Sequence, residues 1–126
     1  MKIRKNEPPR SFRVGKQADR EIRDSGDIHL EPDEQVTFVT DSGRRHDFAR
    51  KAWGFYATPS INGRLEDEGF RTALIRNQQG QMYVTVVEVD KQVLFEKYCE
   101  REEQTVLEWL SDATSERPNQ FRGRVG

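Results

Sequence analysis

Hydrophobic residues recur at every second position through the middle of the chain. The clearest pair of such runs is GFRTALIRN (69–77) and QMYVTVVEVD (81–90). Alternate positions place Phe70, Thr72 and Leu74 on one face of the first run, and Met82, Val84 and Val86 on one face of the second. Alternation with period two predicts half-buried β-strands. Asn77-Gln78-Gln79-Gly80 joins the two runs, and a glycine in such a connection favours a tight turn. These residues therefore predict a β-hairpin.

Two further turn signals divide the preceding segment. Asp24-Ser25-Gly26 lies between short apolar runs, and Asp41-Ser42-Gly43 separates QVTFVT from RRHDFARKAWGFYAT. Short polar residues followed by glycine are typical of chain reversals. We therefore predict a hairpin at each cluster. The strand that follows the second one, residues 48–57, carries aromatic residues in both registers of the alternation.

The period becomes helical after residue 90. Phe95, Cys99, Val106 and Leu110 follow one another at spacings of four, seven and four residues, which places them on one face of a helix. Asp90 is a natural N-cap. The glutamates of this segment lie mostly off the apolar stripe. The pattern predicts an acidic amphipathic helix of roughly 20 residues that ends near position 112.

Together these elements predict the fold class α+β. We expect an antiparallel β-meander of about six short strands, or a small half-barrel, covered by one long C-terminal helix. The domain prediction has three parts: a basic, mostly disordered arm at 1–19, a single α+β domain at 20–112, and a flexible tail at 113–126. The arm is predicted because Pro-Pro, scattered cations and few apolar residues do not repay the entropy of ordering.

Charge divides the chain although its formal net charge is only −1. Residues 1–23 hold eight Lys or Arg and three acids, whereas residues 24–34 hold five acids and no Lys or Arg. The near-zero total argues against a dedicated nucleic-acid binder, which normally carries a strongly basic surface. The single cysteine excludes an internal disulfide, and no apolar run has the length of a signal or membrane segment. We therefore expect a cytoplasmic protein without a membrane span.

The chemically richest stretch is RKAWGFYATPSINGRL, residues 50–65. Its aromatic rings can stack on a ligand, its cations can neutralise phosphate, and its loop hydroxyl and amide groups can hold an anion. The same residue types also fit an ordinary strand and turn with aromatics inward and cations outward. The candidate ligand-binding residues are Arg50, Lys51, Trp53, Tyr56, Thr58, Ser60, Asn62 and Arg64.

Catalytic and metal motifs are weaker. His29 and His46 have Glu31, Asp33 and Asp47 nearby in the sequence, but their spacing matches no known metal-binding pattern, so we expect neither a metal site nor a cofactor. Cys99 lies on the apolar stripe and is predicted to be a core thiol. No paired carboxylates or activated nucleophile appear, so catalysis is not expected. An enzyme acting on a sugar, with Asp47, His46 or Tyr56 as acid or base, stays open as an alternative.

The blocks EQVTF (34–38), WGFYATPS (53–60) and NGRL (62–65) resemble a group of small uncharacterised bacterial proteins. These proteins accompany genes for surface-polysaccharide and sialic-acid-type sugar biosynthesis, and the resemblance covers roughly residues 20–112. It implies a non-catalytic cytosolic accessory protein of surface-glycan assembly that recognises a partner enzyme or an anionic sugar nucleotide. The alternative function is a small single-stranded nucleic-acid-binding domain that uses the basic arm and the aromatic strand.

Overall fold

The computed structural model describes residues 1–113 of the 126-residue chain. The strands are β1 Lys2–Val14, β2 Arg20–His29, β3 Gln35–Val39, β4 Arg45–Lys51, β5 Gly54–Tyr56, β6 Phe70–Arg76, β7 Met82–Glu88 and β8 Thr105–Trp109. The helices are α1 Arg64–Asp67, α2 Gln92–Arg101 and α3 Leu110–Ala113, and a 3₁₀ turn spans Val89–Lys91.

The strands form three small antiparallel sheets, with strand orders β1-β2, β3-β4-β5 and β7-β6-β8. The predicted α+β meander under one long C-terminal helix is therefore wrong, because the described residues are mostly β and their helices are short. The chain divides into two compact units, whereas the sequence predicts one domain over 20–112. The first unit, here called the N-terminal unit, comprises Met1–Phe38 and Asp47–Ala57; the second, the C-terminal unit, comprises Val39–His46 and the chain from Thr58 onward.

The segment predicted to be a disordered basic arm, residues 1–19, contains β1 in the structure. β1 pairs with β2 over Lys2–Lys5 and Arg10–Val14, so that ladder hydrogen bonds order a segment that has almost no buried side chain. Two ion pairs cross the ladder: Arg4 with Asp27 at 2.5 Å and Arg10 with Asp24 at 2.9 Å. The start of the basic block, Lys2–Lys5, thus lies opposite residues 26–29 of the acidic block. The predicted tail lies outside the described residues from position 114 onward.

The reversal between β1 and β2 lies earlier than the sequence predicts. The turn is at residues 15–18, where the Ala18 amide donates to the Gly15 carbonyl at 3.0 Å. β2 runs straight through Asp24-Ser25-Gly26, and Gly26 pairs with Lys5 beside an irregularity in the ladder that lies between Asp24 and Gly26 on β2 and between Lys5 and Arg10 on β1. Its φ is +147°, and a Cβ there would lie 2.1 Å from the Arg4 carbonyl oxygen. Glycine is required at this position by backbone approach, not by a turn.

The second predicted reversal is confirmed. Between β3 and β4 the Thr40 amide donates to the Arg44 carbonyl at 3.0 Å, and Gly43 has a φ of +87°. β4 and β5 then pair so that Lys51 lies opposite Gly54, which leaves a two-residue turn at Ala52-Trp53. In the N-terminal unit, Phe48 packs between Phe38 and Phe55 with ring centroids 6.0 and 4.9 Å away.

The predicted hairpin at 69–90 is also confirmed as β6 and β7, which pair from Phe70–Glu88 to Arg76–Met82. β6 is the central strand of its sheet and carries four buried side chains, those of Phe70, Thr72, Ala73 and Ile75. Other buried side chains of the C-terminal unit include Leu65, Val87 and Cys99. Leu65 comes from α1 and is fully buried.

The long C-terminal helix is replaced by a helix, a turn and a strand. α2 ends at Arg101, Glu103 adopts a left-handed conformation with φ +55°, and the Gln104 amide donates to the Cys99 carbonyl at 2.8 Å. These are features of a helix C-terminus. Residues 105–109 then form β8 on the edge of β6 that β7 leaves open. Hydrogen bonds to that edge outweigh helix continuation, and β-branched Thr105 and Val106 suit a strand.

Leu65→Ala should therefore destabilise the protein by about 2–5 kcal/mol, because it removes a fully buried side chain and leaves a cavity beneath β6. Leu94→Ala is the matched control, since this side chain is 64% exposed and its truncation should cost less than about 0.5 kcal/mol. Urea unfolding monitored by circular dichroism measures both changes. Equal losses in the two variants would contradict the assignment of the core to β6 and α1.

Candidate functional site: an aromatic cleft in the N-terminal unit

The tip of the β4–β5 hairpin presents aromatic side chains to solvent. Trp53 occupies the two-residue turn and is 68% exposed, while Phe55 and Tyr56 on β5 are 51% and 58% exposed. The Trp53 and Tyr56 rings meet edge to face with centroids 5.4 Å apart. The strand predicted through residues 48–57 is interrupted here, so Trp53 lies at a hairpin tip and not on a sheet face. Phe55 and Tyr56 are consecutive on β5 and point to opposite faces, so Trp53 and Tyr56 form one exposed aromatic pair and Phe55 lies on the other face of the strand. Exposed aromatic side chains of this kind are suited to contact with a ligand or partner.

An open cleft of about 560 Å³ lies beside this tip. It is lined by Ile28, His29, Leu30, Arg50, Ala52, Trp53, Gly54 and Phe55. The Arg50 guanidinium donates one hydrogen bond to the Leu30 carbonyl at 3.1 Å, which holds the cation at the cleft wall. A guanidinium has five N–H donors, so this bond leaves others for an anionic group. The cleft thus combines an aromatic face, apolar walls and a cation. We call it the aromatic cleft.

Lys51 and Tyr56 do not line the aromatic cleft. The Lys51 ammonium donates to an Asp33 carboxylate oxygen at 2.6 Å, and this hydrogen bond, together with the attraction between the two charges, raises the pKa of Lys51. Its charge is therefore already compensated by a carboxylate. Tyr56 contributes through its contact with Trp53. Of the residues predicted from 50–56, Arg50 and Trp53 are the ones that the structure places at the cleft.

The other four predicted ligand residues belong to the C-terminal unit: Thr58, Ser60, Asn62 and Arg64. The Ser60 side-chain oxygen accepts a hydrogen bond from the Arg64 amide at 2.8 Å, and its carbonyl accepts from the amides of Gly63 and Leu65. Three consecutive backbone amides are thereby used to start α1. An anion-binding loop needs such amides unbonded, so this geometry favours a structural turn over the anion site considered from the sequence.

Ile28, His29, Leu30 and Phe55 line the cleft but were not among the predicted site residues. Backbone hydrogen bonds bring the chain after β2 to β4: the Asp33 amide donates to the Arg50 carbonyl at 2.7 Å, and the Arg50 amide donates to the Glu34 carbonyl at 2.9 Å. This pairing is between residues that lie far apart in sequence, and no local motif announces it. Of these four residues, Phe55 is the one whose sequence context, the aromatic run WGFY, points to this site.

The candidate acid–base residues do not form a pair. His46 and Asp47 are consecutive in β4, so their side chains point to opposite faces of the sheet. Asp47 accepts a hydrogen bond from the Thr37 hydroxyl at 2.8 Å, as a structural carboxylate does. Cys99 is buried, and burial raises the pKa of its thiol. Within residues 1–113 no group of three or more His, Cys, Asp or Glu side chains is arranged to hold a metal ion.

A separate polar cluster in the C-terminal unit surrounds Glu88 at the end of β7. One of its carboxylate oxygens accepts hydrogen bonds from Ser42 at 2.6 Å, Thr40 at 3.2 Å and Arg44 at 3.3 Å. The hydrogen bond from Ser42, aided by bonds from Lys91 and Thr40, lowers the pKa of Glu88 to about 2. A carboxylate this acidic is a poor proton acceptor near neutral pH. The cluster is therefore a clamp between the β3–β4 turn and the end of β7.

Glu88→Gln should destabilise the protein at pH 7, and the destabilisation should shrink as the pH falls. The folded-state pKa lies below the ordinary value of 4.5, so ionised Glu88 contributes stability that is fully present above about pH 4.5 and is lost as the pH falls towards about 2. Urea unfolding midpoints at pH 7, 5 and 3 measure the difference in stability between the wild type and Glu88→Gln. Glu100→Gln on the exposed face of α2 is the control and should show no such trend. A stability difference that stays constant from pH 7 to pH 3 would contradict the role assigned to Glu88.

Among the described helices, none has the length and apolar character needed to cross a bilayer. The chain matches no model of a protein family. Neither the curated proteins nor the solved structures compared with it include a similar chain.

Proposed function

We propose that this protein is a non-catalytic binding protein that holds an anionic sugar nucleotide in the aromatic cleft. The observation that carries the proposal is the 68% exposure of Trp53 at a hairpin tip beside an open cleft. A tryptophan that is mainly exposed contributes little to the core of its own unit. Its ring is available to a ligand.

The cleft has the chemistry for both halves of such a ligand. The flat faces of Trp53 and Phe55 can stack on a nucleobase or on the apolar face of a sugar ring. Arg50 lies at the wall with guanidinium donors to spare. A guanidinium fork suits the paired oxygens of a phosphate. Ile28 and Leu30 supply the apolar wall typical of small-molecule sites.

The biological setting of the proposal is bacterial surface-glycan biosynthesis in the cytoplasm. Its support is the resemblance of WGFYATPS (53–60) and its neighbours to proteins that accompany such genes. The aromatic cleft lies at the start of that block, with Trp53 on its rim. An accessory protein that holds an activated sugar can deliver it to a partner enzyme. Binding of the partner enzyme alone, without a nucleotide, is the other form of this function.

The alternative of a single-stranded nucleic-acid-binding domain has less support. The basic segment on which it depends is strand β1, and Arg4 and Arg10 are already paired with carboxylates of β2. Cations in ion pairs release fewer counterions on binding a phosphate backbone. An oligonucleotide therefore serves as the comparison ligand in the experiment below.

Trp53→Ala should weaken binding of a UDP- or CMP-sugar by about 1–3 kcal/mol, or roughly 5- to 150-fold in Kd, because it removes the stacking face. Its melting temperature should stay close to that of the wild type, since the side chain is mainly exposed. Isothermal titration calorimetry with each sugar nucleotide and with a short single-stranded oligonucleotide, at two salt concentrations, measures the affinities.

Leu94→Ala is the matched control: it also truncates an exposed apolar side chain, but in the C-terminal unit, and should bind as the wild type does. Arg50→Gln should lower affinity for the sugar nucleotide more than for the corresponding nucleoside, which lacks phosphate. Wild-type protein that binds neither sugar nucleotide would refute the proposal. Salt-sensitive binding of the oligonucleotide alone would favour the nucleic-acid alternative.

A further inference from the structure

Strand β2 has one edge without a partner. It belongs to a two-stranded sheet in which β1 covers one side, and within residues 1–113 no strand pairs with the other side. Alternate backbone N–H and C=O groups of an edge strand point outward and can accept another strand. A two-stranded ribbon is also only marginally stable by itself. The ribbon therefore gains stability from a further strand.

The two edges of the ribbon are not equivalent. β1 contains Pro8 and Pro9, which lack the amide hydrogen that a ladder requires. β2, with the sequence REIRDSGDIH, has no proline over its ten residues. A strand that joins the ribbon therefore has a continuous set of backbone donors on the β2 side.

The sequence of β2 is complementary to itself when reversed. An antiparallel second copy centred on Ser25 places Ile22 opposite Ile28, Arg23 opposite Asp27 and Glu21 opposite His29, each pair occurring twice. Opposite charges and apolar residues that face each other across an antiparallel pair stabilise it, and like charges destabilise it. No like charges meet in this register.

The side chains on β2 are available for such pairing. Ile22 and Ile28 are 46% and 48% exposed. The side chains of Glu21 and Arg23 are exposed and have no hydrogen-bond or ion-pair partner in the part of the chain that the structure describes. The Asp27 carboxylate forms an ion pair with Arg4 of β1 and remains more than half exposed, so it can accept a second cation.

The irregularity between Asp24 and Gly26 fits the same arrangement. Residues 20–24 and 26–29 are each in regular register with β1, and the break lies between Asp24 and Gly26. A two-fold axis at Ser25 pairs each regular segment with the other regular segment of the second copy. The break then lies on the axis itself, where it interrupts no pair.

We propose that the protein forms a symmetric homodimer through antiparallel pairing of β2 with β2 of a second copy. The result is a four-stranded sheet in the order β1-β2-β2-β1. Charged residues on an edge strand normally prevent association with foreign strands. Here the same charges repel most other strands but match the reversed β2 sequence, and they thereby select a second copy.

A charge-swap experiment tests the proposal. In sedimentation equilibrium, the wild type should shift from 14.7 kDa towards twice that mass as concentration rises. Arg23→Asp and Asp27→Arg should each stay monomeric, because each places two pairs of like charges across the axis. An equimolar mixture of the two variants should again form dimers, since every cross-axis pair then joins an aspartate to an arginine. Recovery in the mixture shows that neither variant is simply unfolded.

Lys2→Asp, which makes the same change in charge on β1, is the matched control and should dimerise like the wild type. Circular dichroism should show the same β content in all variants. A wild type that is monomeric at every concentration overturns the proposal. So does a dimer that persists in Arg23→Asp, or a mixture of the two variants that does not associate.

Discussion

Pairing of β6 on both sides is the constraint on which the C-terminal unit depends. β7 covers one edge of this strand and β8 the other, so its backbone groups are satisfied without solvent. A strand in this position can bury side chains on both faces, and Phe70, Thr72, Ala73 and Ile75 are all buried. The short helices gain their positions from this strand: α1 places Leu65 in the core beside it, and α3 follows directly from β8.

Different interactions stabilise the N-terminal unit. Its ribbon of β1 and β2 has almost no buried side chain, and backbone ladder bonds and cross-strand ion pairs hold it together. Such a segment stabilises itself weakly, because exposed ion pairs are worth only about 0–1 kcal/mol each. Leu30 is buried where the chain leaves β2, at the wall of the aromatic cleft. This unit therefore carries the surfaces that are suited to binding, and the C-terminal unit carries the larger core.

Polar groups also act differently in the two units. Around Glu88, several donors converge on one carboxylate, which is only 12% exposed, and so join a turn to a strand end. At the aromatic cleft, Arg50 uses one donor internally and lines an open surface. Convergent bonds to a nearly buried group favour rigidity, whereas a cation with donors to spare beside exposed rings favours recognition. The lowered pKa of Glu88 marks a cluster that is structural, and it does not point to the aromatic cleft.

Local sequence determined the elements that depend on interactions between neighbouring residues. The hairpin at Asn77–Gly80 and the turn at Asp41–Gly43 follow from alternation and glycine conformation, and the aromatic and cationic character of residues 50–56 is plain in the residues themselves. Only the tertiary structure decided which segments pair with each other. β1 is ordered because β2 lies beside it, residues 105–109 form a strand because β6 offers an open edge, and His29 and Leu30 reach Arg50 through backbone pairing. Hydrogen bonds between distant segments leave no periodic trace in either segment, so the apolar spacing of 95–110 was compatible with a helix that the sheet does not permit.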